Sequence, residues 1–589
     1  MITGFQRFTL IARIAFVAVL SIPVLAGVVG VLFPAFGYFP ALGSDSFNAT
    51  GFAQLFAVDG IGVMIGLSLL TGVSATLLAT LGALSLLAVF YQSRYLQKIQ
   101  RLFSPLLVLP HAGVAIALLF ILSPSGLVAR MVDVLGLTHS SGVTNIYWFF
   151  PYDNYGIAIT LGLALKELPF ILLIALGVLS QPQIARKVHG YYQSASALGY
   201  SPSTIFCKTV LPLLYPQIRL PLLAVLAFAT ANVEIPLLLG SNYPPTLSVA
   251  VVQWFNHVDL SMRFMGSAAA VVQLLVTVFA LLIWFVSEQG IYRCRHLIYL
   301  SGESYIRRGI LKTFAYSLCG LYGAMSLAVV YAVLLWSFAT YWTFPNLLPD
   351  GITTLHWQTA WRGVAPALGN TLLLGIIVSA VALIMTVMTL ESETVQIESR
   401  WLPMNNRFFV VVLFLPLLVP GVAFLYGLVW FQQRFFPQGE WGPLFVTHLV
   451  YVLPYVFISL AVAYRKLDAR YIQVAYGMGK TPWQVFRAIK LPMLFNPLLV
   501  AFALGLAISF SQYLPTLLST GGRIPTITTE AVALASGSSY RLTAVYVVLQ
   551  AILPWLGFLL AWWLPKRFFN PSTQANSVIG NPVYDTKAG

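Results

Sequence analysis

The sequence predicts an all-α membrane protein of about twelve transmembrane helices, arranged as two parallel six-span halves with both termini cytoplasmic. Three observations carry this reading. Of 589 residues, 59% are hydrophobic and 8% charged, where ordinary soluble domains hold roughly 45–50% and about 25%. Twelve apolar stretches long enough to cross a bilayer, about 20 residues each, are bounded by charges or Pro/Gly loops. The segment between the fourth and fifth stretches recurs 280 residues later between the tenth and eleventh. A mean hydropathy of +0.85 leaves too little polar surface for a water-soluble body, which excludes a soluble enzyme and a disordered or fibrous chain.

The spans fall at about 11–36, 60–90, 104–122, 155–180, 213–240, 264–287, 313–337, 364–390, 408–430, 444–464, 494–519 and 542–565. The first follows Arg7 and Arg13, exceeds a signal-peptide core and has no small-residue cleavage site, so it reads as a retained span. With the N-terminus inside, 23 Lys and Arg fall in inside segments, among them Arg94, Lys98, Arg101, Arg307, Arg400 and Lys587, and six fall outside. This positive-inside split accounts for the net charge of +15 without nucleic acid. The domains follow as an N-terminal half (1–287), a cytoplasmic linker (288–312), a C-terminal half (313–565) and a cytoplasmic tail (566–589). Cys207, Cys294 and Cys319 have no metal-ligand spacing and suggest no disulfide framework.

The repeat is read from QSASALGYSPSTIFCKTVLP (193–212) and QVAYGMGKTPWQVFRAIKLP (473–492). Gly199 and Gly479, Pro202 and Pro482, Leu211 and Leu491, and Pro212 and Pro492 all keep the 280-residue offset. The offset widens to 310 at Pro110 and Pro420 (LVLPHAGVA, 107–115; LLVPGVAFL, 417–425), the extra length lying in the loop around 123–154. In each copy a helix ends at the glycine, where a left-handed turn is permitted. Ser201 or Thr481 then caps a second short helix that has Pro202 or Pro482 at its first position. That helix is expected to run to Leu211 or Leu491 and to be broken by Pro212 or Pro492. Tyr200, Ile205 and Phe206, or Trp483, Val485 and Phe486, are expected to be exposed knobs facing a two-fold partner. The alternative is a capped loop packing on its own bundle.

Both copies resemble the cytoplasmic loop of the permease subunits of binding-protein-dependent ABC importers, whose pattern is E-A-A-x3-G-x9-I-x-L-P. The second copy matches at Ala475, Gly479, Ile489, Leu491 and Pro492, and the first at Ala195, Gly199, Leu211 and Pro212. Gln193 and Gln473 stand at the acidic position, and Thr209 replaces Ile in the first copy. The resemblance covers essentially the whole chain and is to fused two-half permeases of the type I group, in the ferric-iron, thiamine, sulfate and polyamine branch. It implies a bacterial inner-membrane permease that moves a small polar solute or ion inward and is not itself an enzyme. Two copies of an ATP-binding subunit would dock on the loops, a periplasmic solute-binding protein would deliver the solute, and ATP would be bound by those partner subunits, leaving no cofactor in this chain. Thiamine or iron uptake follows from the branch alone. The rival reading is a twelve-span secondary transporter driven by an ion gradient, which shares the two-half architecture. Its charged signature between spans 2 and 3 is missing from YQSRYLQKIQR (91–101).

GMGKT (477–481) mimics the end of a phosphate-binding loop, but the glycine required five residues before Gly479 is Val474. The histidines form no ligand cluster; His111 and His448 lie in spans and read as bundle-facing polar residues. Lys166 and Glu167 in span 4 and Glu234 in span 5 are candidate translocation-path residues, because charge at membrane depth is costly and mostly functional. Their alternative is structural pairing between helices, such as Lys166 with Glu234. Tyr451, Val452 and Tyr513 stand at the matching places in the second half. Tyr243, Trp254, Trp430 and Trp441 read as interfacial belt residues.

Overall fold

The computed structural model describes residues 4–96, 98–100, 109–136, 150–300, 308–399, 406–436, 440–537 and 539–568. Among these the regular structure is helical, and two isolated bridges, Phe39 with Ser44 and Ala339 with Ile352, are the extended pairing present. Parts of three sequence-derived regions lie outside the described residues: 301–307 of the linker, 569–589 of the tail and 137–149 of the long loop.

The principal helices of the first half are α1 (Gly4–Ala35), α2 (Ile61–Phe90), α3 (His111–Leu122), α4 (Leu127–Val134), α5 (Ile157–Leu179), α6 (Pro182–Ala197), α7 (Pro202–Ile205), α8 (Leu211–Thr230), α9 (Glu234–Leu239) and α10 (Met262–Leu300). The second half holds α11 (Arg308–Phe338), α12 (Leu355–Ser399), α13 (Asn406–Leu418), α14 (Gly421–Gln432), α15 (Trp441–Arg465), α16 (Ala469–Gly477), α17 (Pro482–Val485), α18 (Phe495–Phe510), α19 (Leu514–Thr520) and α20 (Tyr540–Phe568). Among the described residues, ten helices are long and apolar enough to cross a membrane, or twelve when two bent pairs each count as one span. The protein is a multi-pass membrane protein. Several hydroxyls inside the spans donate back to the preceding turn, as Thr71 does to the Leu67 carbonyl at 2.7 Å and Thr76 to Gly72 at 2.8 Å, which pairs them without water.

Proline sets the principal departure from straight spans. The ninth span, expected as one helix over 408–430, is two helices meeting at 95°. Pro420 has no N–H and disfavours helical geometry in the residue before it, so α13 stops at Leu418 and α14 restarts at Gly421 with Pro420 as its N-cap. Pro110 holds the same place before α3.

The two halves exchange their first helices. Phe16 and Leu20 of α1 are fully buried among Leu374 of α12, Leu413 of α13 and Leu460 of α15, with the Phe16 ring 5.7 Å from Phe409 and 5.3 Å from Phe457. Reciprocally, Ala315, Tyr322 and Val329 of α11 join a core that the first half shares with Val364 of α12 and Val545 of α20, and the Tyr322 hydroxyl donates to the Leu165 carbonyl at 2.9 Å. Where α1 crosses α14, glycines let the backbones touch: a Cβ on Gly427 would lie 2.0 Å from the Gly27 carbonyl oxygen. Small residues at such crossings replace the hydrophobic drive that lipid removes. A further cluster, including Ala112, Val233, Val450 and Leu514, closes the seam between the halves.

Candidate docking loops and inter-half site

In both repeats the backbone takes the same path. Gly199 has φ +80° and Gly479 +76°. Their N–H groups donate to Ser196 and Tyr476 at 2.9 Å, and the next residues, Tyr200 and Lys480, donate to Ala195 and Ala475 at 3.1 Å. This pair of bonds satisfies the last carbonyls of α6 and α16. The matched alanines are therefore the acceptors that close the turn, and Ala475 is also buried. Across the turn the Thr204 N–H donates to Ser201 Oγ at 3.2 Å, and Thr481 and Gln484 form a reciprocal capping box. The segment GMGKT is thus consumed by a helix end and a cap, with no strand before it.

After α7 and α17 each copy opens into a five-residue π turn, Phe206–Val210 and Phe486–Lys490. This corrects the expectation that Pro212 and Pro492 break the helix. A proline ring clashes with the carbonyl four residues back, and one wider turn relieves that clash. In the first copy α8 continues directly to Thr230. In the second the chain turns through Leu494, so that Pro482–Met493 and α18 meet at 74°.

Four of the six expected knobs also need correction. Ile205, Phe206, Val485 and Phe486 are buried in their own halves and anchor the loops. Tyr200 is half-buried, and Trp483 is half-exposed with its ring 5.3 Å from Phe5 of α1. Trp483 is exposed as expected, and the further solvent-facing apolar residues are Leu198 (76% exposed) and Tyr191 in the first copy, and Tyr471, Val474 and Met478 (72%) in the second. Gln193 and Gln473 are exposed beside them, and Pro212 and Pro492 are exposed, whereas Leu211 and Ile489 are half-buried. Asp468, Tyr471, Val474, Met478 and Ile489 line an open groove of about 620 Å³. Asp468 caps α16, and hydrogen bonds from the Arg470 guanidinium hold its carboxyl below the ordinary value of 3.8.

The charged residues at membrane depth gather where the halves meet. Glu167 accepts from His111 Nε2 at 2.9 Å, and Lys166 donates to the Leu109 carbonyl. Glu234, at the start of α9, lies beside the backbone amides of Ala112 and Tyr513, and its Oε2 has no hydrogen-bond partner. Opposite them the second half supplies tyrosines. Tyr513 lies near Glu234, and Tyr455 lies close enough to Glu167 to feel its charge. His111 was missed as a member of this cluster, although LPHAG places it at the first turn of α3, beside Pro110. His448 is a buried structural residue, with its two ring nitrogens 3.1 Å from Ser509 Oγ and 2.8 Å from Thr516 Oγ1. Among the described residues no group of three or more His, Cys, Asp or Glu could hold a metal ion.

Residues 403–569 match the family described as binding-protein-dependent transport system inner membrane component. Over 566 residues the chain is 28% identical to the inner membrane ABC transporter permease protein YnjC of Escherichia coli, covering 94% of this chain and 96% of that protein. The matched family and the near full-length likeness support a fused ABC importer permease. The permease is also 24% identical over 373 residues to the Fe(3+)-transport system permease protein FbpB 2 of Haemophilus influenzae, covering 60% of this chain and 67% of that one. To the molybdenum transport system permease protein ModB of the same organism it is 25% identical over 200 residues, covering 30% and 86%. Its family and relatives are transport proteins and not enzymes.

Proposed function

We propose that this permease sits in the bacterial inner membrane with both termini cytoplasmic and carries a small polar solute inward. Two copies of a separate ATP-binding subunit seat on the loops around Gly199 and Gly479, and a periplasmic solute-binding protein delivers the solute to the opposite face. ATP is bound by the partner subunits alone. The halves are residues 1–287 and 313–565, joined by the 288–312 linker.

The observation that carries this reading is the twin turn: one left-handed glycine, two matching hydrogen bonds, a capped short helix and a π turn, built twice at equivalent places. A loop that only closed its own bundle would not need that backbone copied beside exposed Leu198 and Met478. Glu167 and Glu234 beside Lys166 make the seam favour a cationic or hydroxyl-rich solute. Ferric iron, named for one relative, and thiamine, a cation, fit that sign better than the molybdenum substrate named for another.

The test is affinity purification of the tagged chain in mild detergent, with mass spectrometry of what accompanies it. It is run beside a Gly199→Pro, Gly479→Pro variant shown to be folded. Proline cannot take the +80° and +76° φ values, and space is open at both sites, so the lesion is confined to the turns. An ATP-binding subunit retained by the parent and lost from the variant is the expected result. A chain that purifies alone and moves solute in sealed vesicles under an ion gradient without ATP makes it a secondary transporter.

A further inference from the structure

The two docking loops are fastened to their halves by different chemistry. Lys490 closes the second π turn and is 2% exposed. Its ammonium donates to both oxygens of Glu391 on α12, at 2.7 and 2.9 Å, and the Tyr464 hydroxyl at the end of α15 donates to the same carboxylate. Lys490 Nζ also lies 6.0 Å from the centre of the Tyr464 ring. Glu391 itself is 1% exposed. In the first copy the residue 280 positions earlier is Val210, also fully buried. There the π turn rests on an aromatic bed, with Tyr91 6.0 Å from Tyr192 and 6.5 Å from Phe206.

A buried ion pair is a poor source of stability, because removing both charges from water costs about as much as their attraction returns. What it supplies is register. Apolar and aromatic contacts keep most of their energy through a small slide, whereas a carboxylate shared by an ammonium and a phenol holds only in one arrangement. The pair joins the docking loop directly to α12 and α15, two spans that also enclose the exchanged helix α1 through Phe16 and Leu20.

We propose that Lys490, Glu391 and Tyr464 are positioning residues that transmit movement of the second docking loop into α12 and α15, so that the two loops drive their halves unequally. This rests on the reading of the loops as ATPase docking sites. The first π turn is seated on Val210 and aromatic rings, and its ion pair, Arg219 of α8 with Glu288 of α10 at 2.6 Å, lies farther along the helix and more exposed than Lys490 with Glu391, so this loop follows its partner subunit with more slip.

The test replaces the pair by apolar residues of similar size, Glu391→Leu with Lys490→Met, a change that buried ion pairs tolerate in stability. The chain is co-expressed with its ATP-binding subunit, with the three cysteines changed to serine and spin labels placed at Val258→Cys and Phe435→Cys. Both sites are exposed and lie on loops at the end of the bundle remote from the docking repeats. The reading is the population of a second inter-label distance on adding ATP and vanadate, per retained ATP-binding subunit.

The expected result is a variant that keeps the subunit and its single detergent peak but loses about tenfold of the ATP-dependent population, the scale of a coupling mutation. A population within about twofold of the parent overturns the proposal. If the double variant does not fold, Tyr464→Phe, which leaves the ion pair, is read instead. A fall of about threefold, one hydrogen bond's worth, supports the proposal, and no change overturns it. A parent that retains no ATP-binding subunit overturns the docking reading by its own readout, and this proposal with it.

Discussion

Arg130 shows how much one side chain can organise. It is 2% exposed, donates from Nε to the Ser125 carbonyl at 2.9 Å, and reaches the carbonyls of Trp342 and Thr343 at 3.1 and 2.8 Å. Its guanidinium also lies 4.9 Å from the Trp342 ring centre. A residue of α4 in the first half thereby holds the loop that follows α11 of the second. Arg130→Met should leave the buried Trp342 carbonyl without its donor, at about 1–3 kcal/mol, and remove the bonds to Ser125 and Thr343. The expected outcome is a lower thermal midpoint and faster limited proteolysis between residues 339 and 352, both read on the purified protein in detergent. In the sequence Arg130 was legible only as one of six outside basic residues, because its partners are backbone atoms some 213 positions away that no side-chain pattern announces. Gly199 and Gly479 were legible to the level of backbone conformation, since a helix end followed by Ser-Pro or Thr-Pro has few other solutions.

Among elements, the spans were readable from hydropathy and their interruptions were readable only in part. Hydropathy counts apolar residues and does not register direction, so the 95° bend at Pro420 and the breaks before Glu234 and Leu514 were absorbed into single stretches. The π turns were missed for a related reason: Pro212 and Pro492 do obstruct a regular helix, but widening the preceding turn is cheaper than ending it. The fate of Ile205, Phe206, Val485 and Phe486 turned on the same geometry, which rolls those side chains inward. The crossing of α1 on α14 offers a sharp check. Gly427→Leu would place side-chain atoms where the Gly27 and Gly30 backbone now lies. Overpacking of about 1–3 kcal/mol or more is the expected cost, seen as a lowered thermal midpoint, while Gly62→Leu, with open space around it, should leave the midpoint unchanged.

At the scale of the molecule, two similar halves enclose a chemically unequal seam. Lys166, Glu167, His111 and Glu234 come from one side and tyrosines from the other, an asymmetry the aligned positions already disclosed. Which charges would pair was not legible, because helix rotation decides it: Glu167 turns to His111, and Lys166 turns to the Leu109 carbonyl. Glu234→Gln keeps the shape and removes the charge. With a cationic solute, uptake by vesicles holding the complete importer should fall by about tenfold, the scale of one lost charge-assisted contact, with assembly on the ATP-binding subunit unaltered. Uptake equal to the parent would remove Glu234 from the path.

The exchange of α1 and α11 bears on the order in which the protein can be made. Synthesis proceeds from the N-terminus, so α1 enters the bilayer hundreds of residues before the helices that bury Phe16 and Leu20 exist. During that interval its apolar flank and the bare backbone at Gly27 and Gly30 face lipid or the insertion machinery. The first half therefore cannot complete its native contacts while it is nascent. It must wait for α11 to fill its own core and for α12 to α15 to receive its first helix, so the fused chain matures late and as one piece.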